Sequence, residues 1–508
     1  MQKSTGINDI SNKASYWILA GILVLNFACL YPAVGLYFNG DDFVNIRAPE
    51  LNSISGLPPV LSYAVSKGTR FLHLGIYFSA GNALFGRNSS LWHLSSVIMF
   101  AISVICLHWM LCAMTKNRLA SVIGAGLFAL SGTMFYAQVW ITGVVESMAG
   151  IFVFSSTAAH VLSLKIDASQ KKWILISSVL IAFAFLTKET TLLIIPVWIF
   201  LDILLLRKIS IAAAIGIFLA IGIAFFGWPR IYETTTVEGY AFSTKIVAII
   251  LNLAWYSIDY FFSTGLSAFM LQKASSFESA SDFIPFLKNH PVLVIPYIMA
   301  LLAFISLMAY SIPRGYMVRP DGKKEAGWAG WAFFLILLAP AILIPSHHYP
   351  YYLLVPSGFL AVTLSTAIAS NFKKSKLPTG VIAMLIVYAL WFPVNSYLAF
   401  KYSPLTTNTR LVESMIAAVE EYYPDHPAGL KVIYDHVPHS LGRASEFGKA
   451  IELYYGDVNA QTFPDFHARL DQQGDRVYDF SKERIVLRLV NGEWIDVTGE
   501  FNQRFNLN

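Results

Sequence analysis

Apolar residues in this chain neither alternate nor recur on one helical face; they run on without interruption. Stretches of about 18–25 apolar residues repeat along the first 400 positions, which is the length a helix needs to cross a hydrocarbon core. The first, 16–38, is too long for the apolar core of a signal peptide and lacks a small-residue cleavage pattern, so it predicts a signal anchor. Further spans are predicted near 90–114, 118–137, 143–164, 172–187, 190–206, 210–228, 291–312, 328–345, 349–370 and 378–400. Lys3 and Lys13 precede the first span. Lys116/Arg118, Lys165/Lys171/Lys172 and Arg207/Lys208 each follow an even number of spans, so the Lys/Arg bias predicts a cytoplasmic N-terminus.

The segment 245–271 is long enough to cross, but counting it would put Arg314, Arg319, Lys323 and Lys324 outside. It therefore reads as a helix at the outer interface or a re-entrant pair, with Asp259 facing water or protein. Eleven spans remain, and the C-terminus falls outside. From about Lys401 the pattern changes to mixed charge and turn signals such as Pro-Asp and Asn-Gly. Helices are predicted at 408–423 and 443–455, and strands at KVIYD, RVYDF, RIVLRLV and EWIDV. The expected organisation is a transmembrane domain over 1–400, with a long first outer loop at 37–89, and an extracytoplasmic α/β domain over 401–508.

Composition sharpens this picture. The 508 residues are 56% hydrophobic and 13% charged, far from the roughly 25% charged residues of soluble domains. Disorder, a collagenous fibre and a purely soluble enzyme are excluded. The net charge of +5 is too mild to suggest nucleic acid, since the basic residues lie in short loops where membrane orientation accounts for them. Cys29, Cys106 and Cys112 sit in apolar spans without metal spacing, and read as small buried hydrophobes.

Polar residues gather on the predicted outer side. FNGDDFVNI places Asp41 and Asp42 directly after the first span. Adjacent carboxylates raise each other's pKa, and one can act as general base while the other holds a cation or a hydroxyl. The plainer reading is a helix N-cap. SKGTRFLHLGIYFSAGNALFG then predicts an interfacial amphipathic stretch offering Lys67, Arg70 and His73. Arg70 precedes an apolar helix and suits an anion, whereas Lys67 and Arg87 fit snorkelling equally well. Glu146 opens the fourth span at its outer end, where a carboxylate needs a partner or water. Lys188–Glu189 breaks what would otherwise be an apolar hairpin, as a turn or as two separate partners for other groups. PSHHYPYYLLVP places His347, His348 and several tyrosines at another outer hairpin. The histidines could bind phosphate or carry protons, the tyrosines fit an aromatic belt, and zinc is disfavoured by the adjacent spacing.

GDDF after the first span, the block RFLHLGIYFSAGNALFGRNSSLWHLSSVIMF, LTKE between later spans and HHYPYYLLVP before a late one resemble, in that order, the GT-C superfamily of membrane glycosyltransferases. The likeness extends over about 15–400 and is to the protein O-mannosyltransferase-like group (glycosyltransferase family 39) and its bacterial relatives. Two features depart from that pattern: Arg70 is followed by Phe71 rather than proline, and the late basic position is His347/His348 rather than arginine. The resemblance implies an α-helical polytopic fold and inverting transfer of a sugar from a polyprenyl-phosphate donor to an extracytoplasmic glycan, lipid or protein acceptor. It implies Asp41 as base, with Asp42 and Glu146 holding the acceptor or a divalent cation such as Mg or Mn. Arg70, His73, Lys188, Glu189, His347 and His348 would bind substrate. A bacterial inner membrane is the expected location. Two alternatives remain open on residues alone: a transporter or flippase of lipid-linked sugars, and an O-antigen polymerase or ligase.

Overall fold

The computed structural model describes residues 10–49, 56–165, 168–236, 243–260, 291–344, 348–371, 379–424, 430–435, 449–455, 459–463, 469–470, 476–477, 484–490 and 493–505. Every predicted span corresponds to helix. In chain order these are α1 (Asn12–Leu30), α5 (Ser89–Thr115), α6 (Arg118–Ala129), α8 (Val144–Ser163), α9 (Gln170–Phe185), α10 (Ile194–Leu206), α11 (Ile211–Thr236), α13 (Pro291–Ser311), α14 (Ala329–Ile342), α15 (Leu354–Asn371) and α16 (Thr379–Tyr402). Three starts are fixed by side-chain caps. Ser11 Oγ accepts from Ala14 N at 3.1 Å, Asn88 Oδ1 from Leu91 N at 3.2 Å and Asn117 Oδ1 from Ala120 N at 3.0 Å. Among the described residues, five segments are long and apolar enough to cross a membrane: Asn12–Gly35, Ser89–Thr115, Val144–Ser163, Glu189–Leu206 and Pro350–Ser370.

These helices are not equivalent. The window in α1 is 22% buried, so it lies at the periphery, whereas those in α8 and in Pro350–Ser370 are each 89% buried. The two central helices carry at their N-terminal ends the residues that matter below. The span expected at 118–137 is broken: α6 stops at Ala129, and a turn leads to α7 (Met134–Val139). Ser131 Oγ there meets Thr133 Oγ1 at 2.8 Å and donates to Tyr260 O at 3.0 Å, while the turn's backbone closes through Ser131 N to Phe128 O and Met134 N to Ser131 O, each at 3.2 Å. Of 245–271, the part described as helix is α12 (Ile246–Asp259). At 1.5 Å per residue its 14 residues reach about 21 Å, short of a hydrocarbon core.

Between α1 and α5 lie α2 (Asp42–Asn45), α3 (Leu57–Ser66), a π-helical stretch Phe71–Tyr77 and α4 (Phe78–Phe85). The π-helical stretch packs closely on α3: a Cβ at Gly75 would overlap Ala64 Cα and Cβ. Gly75→Ala is therefore expected to destabilise the protein by about 1–3 kcal/mol, read as a lower melting temperature in detergent; an unchanged melt would refute this close approach.

Past α16 come α17 (Pro404–Tyr422), α18 (Lys449–Tyr455) and α19 (Thr498–Phe505). A four-stranded sheet is built from β1 (Lys431–Asp435), β2 (Asn459–Phe463), β3 (Arg484–Val490) and β4 (Glu493–Asp496) in the order β2–β1–β3–β4, with β1 parallel to β2 and to β3. β4 is antiparallel to β3. Of the RVYDF segment, the described residues Arg476–Val477 are strand. This α/β unit shares a core with the first loop: Phe38, Phe43, Ile46, Leu74, Phe78, Trp92 and Ile141 cluster with Val412, Met415, Val432 and Trp494. Arg47 pairs with Glu452 at 3.7 Å, and Asn39 Nδ2 donates to Leu405 O at 2.9 Å.

Candidate active site

Asp41 and Asp42, neighbours in sequence, have unlike surroundings. Asp42 is 1% exposed. Its Oδ1 accepts from Thr142 N at 2.8 Å and Thr142 Oγ1 at 2.7 Å, and its Oδ2 accepts from Asn39 N at 3.0 Å. Asn45 Nδ2 completes this knot by donating to Thr142 Oγ1 at 3.1 Å. Burial lifts the Asp42 carboxyl to about 7, against the bonds from Thr142 and Asn39, which favour the charged form. Asp41 occupies the N-cap position of α2 without making a capping bond, so the cap reading fails. Its side chain reaches solvent, while the surrounding protein still raises its carboxyl above the usual range and the Arg70 charge opposes that rise. Asp41 is thus both solvent-reachable and partly desolvated. A buried, fully bonded acid such as Asp42 holds the loop in place.

The Asp42 value carries a stability prediction. A folded-state value above the roughly 3.9 of a free Asp means that the protonated side chain stabilises the fold. That contribution is complete below about pH 4 and is lost as pH rises through about 7. The melting midpoint should therefore fall between about pH 4 and 7 and level off above, and Asp42→Asn should flatten the slope. An unchanged slope in the variant would dissociate Asp42 from the effect.

Two cations stand beside this pair, each already matched with a carboxylate. Arg70, just before the π-helical stretch, forks onto Glu189 at 2.6 and 3.1 Å. Lys188, at the turn after α9, bonds Glu146 in the first turn of α8; both side chains are 4% exposed. Leu72 N donates to Leu186 O at 2.8 Å and ties the two segments together. The ammonium of Lys188 also lies 4.4 Å from the Tyr352 ring centroid and 5.6 Å from that of Tyr351. His73 is fully buried, with neither ring nitrogen in a hydrogen bond of normal geometry among the described residues. Burial first, then the Arg70 and Lys188 charges, hold its ring well below the usual range and therefore neutral.

The structure thus gathers Asp41, Asp42, Arg70, His73, Glu146, Lys188 and Glu189 around the junction of α2, α8 and α9. His348 is drawn into a different set of bonds, with Asn252 at 2.7 Å and Asp259 at 2.5 Å. His347 lies outside the described residues. Among the described residues no three His, Cys, Asp or Glu side chains converge, and Asp42 Oδ1, Asp42 Oδ2 and Glu146 Oε1 are engaged by Thr142, Asn39 and Lys188. Thr142 and the Tyr351/Tyr352 pair escape sequence reasoning, because a threonine in a loop and tyrosines at a helix end have ordinary explanations.

No family model and no curated protein sequence matches the chain. The fold is mostly helical, with several apolar helices and a small α/β unit. Among solved structures it is similar to ArnT from Cupriavidus metallidurans in the apo state, with 12% identity, 94% of this chain and 93% of that one covered, and a TM-score of 0.50. The archaeal oligosaccharyltransferase AglB from Archaeoglobus fulgidus, in complex with an inhibitory peptide and a dolichol-phosphate, also matches at 14% identity and a TM-score of 0.44. That match covers 89% of this chain and 65% of AglB. The arabinofuranosyltransferase AftD from Mycobacteria matches at 14% identity and a TM-score of 0.41, over 85% of this chain and 30% of AftD. The chain therefore spans less than two thirds of the length of AglB and less than a third of AftD.

Proposed function

We propose that this protein transfers a sugar, with inversion, from a polyprenyl-phosphate donor to a hydroxyl on an extracytoplasmic acceptor. The observation that carries this reading is the pairing of one solvent-reachable acid, Asp41, with a four-member charge network of Arg70, Glu189, Lys188 and Glu146. A reaction that removes a proton at one point and develops charge on a phosphate at another needs these two features side by side. Asp41 takes the hydroxyl proton while the acceptor oxygen bonds to the anomeric carbon, and the bond from that carbon to the phosphate oxygen breaks. Arg70 and Lys188 neutralise the departing phosphate, sharing their charge with Glu189 and Glu146. Neutral His73 lends a hydrogen bond rather than a charge. Asp42 fixes the direction of Asp41 through Thr142. A place in the bacterial inner membrane, with the N-terminus cytoplasmic and Asp41 facing outward, completes the reading, as do a domain boundary near 401 and an acceptor among the envelope glycans, lipids or proteins.

The test is incubation of the purified protein with labelled polyprenyl-phosphate sugars and a cell-envelope extract. A labelled acceptor is expected; absence of label with every donor tried, in a folded sample, would overturn the proposal. Because α2 shares its core with the α/β unit, deletion of 405–508 should abolish transfer to small and large acceptors alike. Retained transfer to a small acceptor would restrict that unit to acceptor binding.

A further inference from the structure

Away from Asp41, three buried polar residues from two parts of the chain meet in one cluster. Asn252 and Asp259 lie on α12, and His348 precedes the 3₁₀ turn Pro350–Leu353 that leads into α15. Their exposures are 1%, 0% and 8%. Asn252 Nδ2 donates to Ala341 O at 2.9 Å and to Ile342 O at 3.0 Å, at the end of α14. Carbonyls only accept, so these two bonds fix the amide and leave Oδ1, itself only an acceptor, facing His348 Nδ1 at 2.7 Å. Nδ1 must therefore carry a proton. Nε2 lies 2.5 Å from Asp259 Oδ2, and one further proton sits between those two atoms. The pair is net neutral, which is how a buried acid and a buried base coexist without an unmatched charge.

We infer that Asn252, Asp259 and His348 form a clamp that positions Lys188 through Tyr352. The clamp joins α12, the end of α14 and the residue that opens the tyrosine turn. The His348 ring lies on Tyr256, with centroids 4.0 Å apart. Four residues beyond His348, the Tyr352 ring carries the Lys188 ammonium at 4.4 Å. Both nitrogens of His348 are occupied, so it is a positioning residue and not a ligand of phosphate. The effect on donor binding rests on the function proposed above; the protonation and the placement of Lys188 do not.

Solid-state NMR of the full-length protein in bilayers, labelled with ¹⁵N-histidine and ¹⁵N-lysine, reads both points directly. His348 and Lys188 are assigned by the signals lost in His348→Gln and Lys188→Arg. A protonated Nδ1 on His348 is expected, and a ring whose only proton is on Nε2 would overturn the clamp. In Asp259→Asn the ring should keep its Nδ1 proton and accept at Nε2 from the new amide, with the Lys188 signal unmoved. In Asp259→Leu the ring current of Tyr352 on Lys188 should change; an unmoved Lys188 signal would overturn the positioning. Binding of undecaprenyl phosphate should weaken by about tenfold or more in Asp259→Leu and by less than about threefold in Asp259→Asn, tenfold being about 1.4 kcal/mol. Equal affinity in the leucine variant and the unmodified protein would also overturn the positioning. If the unmodified protein binds no undecaprenyl phosphate while both NMR signatures appear, the donor reading falls and the clamp stands.

Discussion

Asp41→Asn should lower sugar transfer by about 10²–10⁴-fold, the usual share of a general base, while leaving the melting temperature and the affinity for the donor close to those of the unmodified protein. Asn has the same shape and cannot take the acceptor proton. Asp41 makes no capping bond to α2 and its side chain reaches solvent, so the substitution removes little that the fold depends on. Asp42→Asn is the control. It disturbs a carboxylate that accepts three hydrogen bonds and holds the loop to Thr142, so it should lower stability along with activity. A single-turnover assay with labelled donor separates the two outcomes. Undiminished transfer by Asp41→Asn would remove Asp41 from the chemistry. Equal melting of both variants would refute the division of roles between the neighbours.

Lys188→Met carries the second large effect. The substitution leaves the Glu146 carboxylate buried without its counter-charge, and breaking such a pair typically costs about 3–5 kcal/mol. It also removes one of the two cations proposed to meet the phosphate. Two properties should therefore fall together: melting temperature and donor affinity. The double variant Lys188→Met/Glu146→Gln separates them, because it removes both charges at once. Its stability should return close to that of the unmodified protein, and its donor binding and transfer should not. Recovery of transfer in the double variant would assign the pair to structure alone. The Arg70–Glu189 fork differs in being part-exposed, with side-chain exposures of 25% and 28%, so its loss should affect stability less.

Much of the site was legible in the chain itself. An apolar sequence must account for each acid and base it carries near hydrocarbon, so Asp41, Asp42, Glu146, Lys188 and Glu189 stood out against their surroundings. Asp259, expected to face water or protein, stood out for the same reason, and it meets His348. Partners were not legible. Lys188 and Glu189 are adjacent in sequence, yet one bonds Glu146 and the other Arg70. A further pair, His160 with Asp202 at 3.0 Å, fully buried and stacked on Trp198, lay unremarked inside two apolar runs. The break at Ser131 was equally hidden, because hydropathy averages over a turn of four residues. By sequence the tyrosines of the Pro350–Leu353 turn fit a membrane belt, whereas in the fold Tyr352 carries the Lys188 ammonium.

The sequence by itself determined the class of fold, because uninterrupted apolar runs have few stable outcomes in a bilayer other than helices that satisfy their own backbone groups. It also determined which residue types could do chemistry and roughly where along the chain they fall. Only the tertiary structure decided which of two adjacent aspartates reaches solvent, which carboxylate each cation meets, and that the α/β unit shares a core with the loop holding Asp41. Those outcomes depend on contacts between residues some hundred positions apart, such as Asp42 with Thr142 and His348 with Asp259. Local periodicity carries no information about such pairs, whereas burial and hydrogen-bond geometry, which set charge and proton position, are fixed only once the helices have packed.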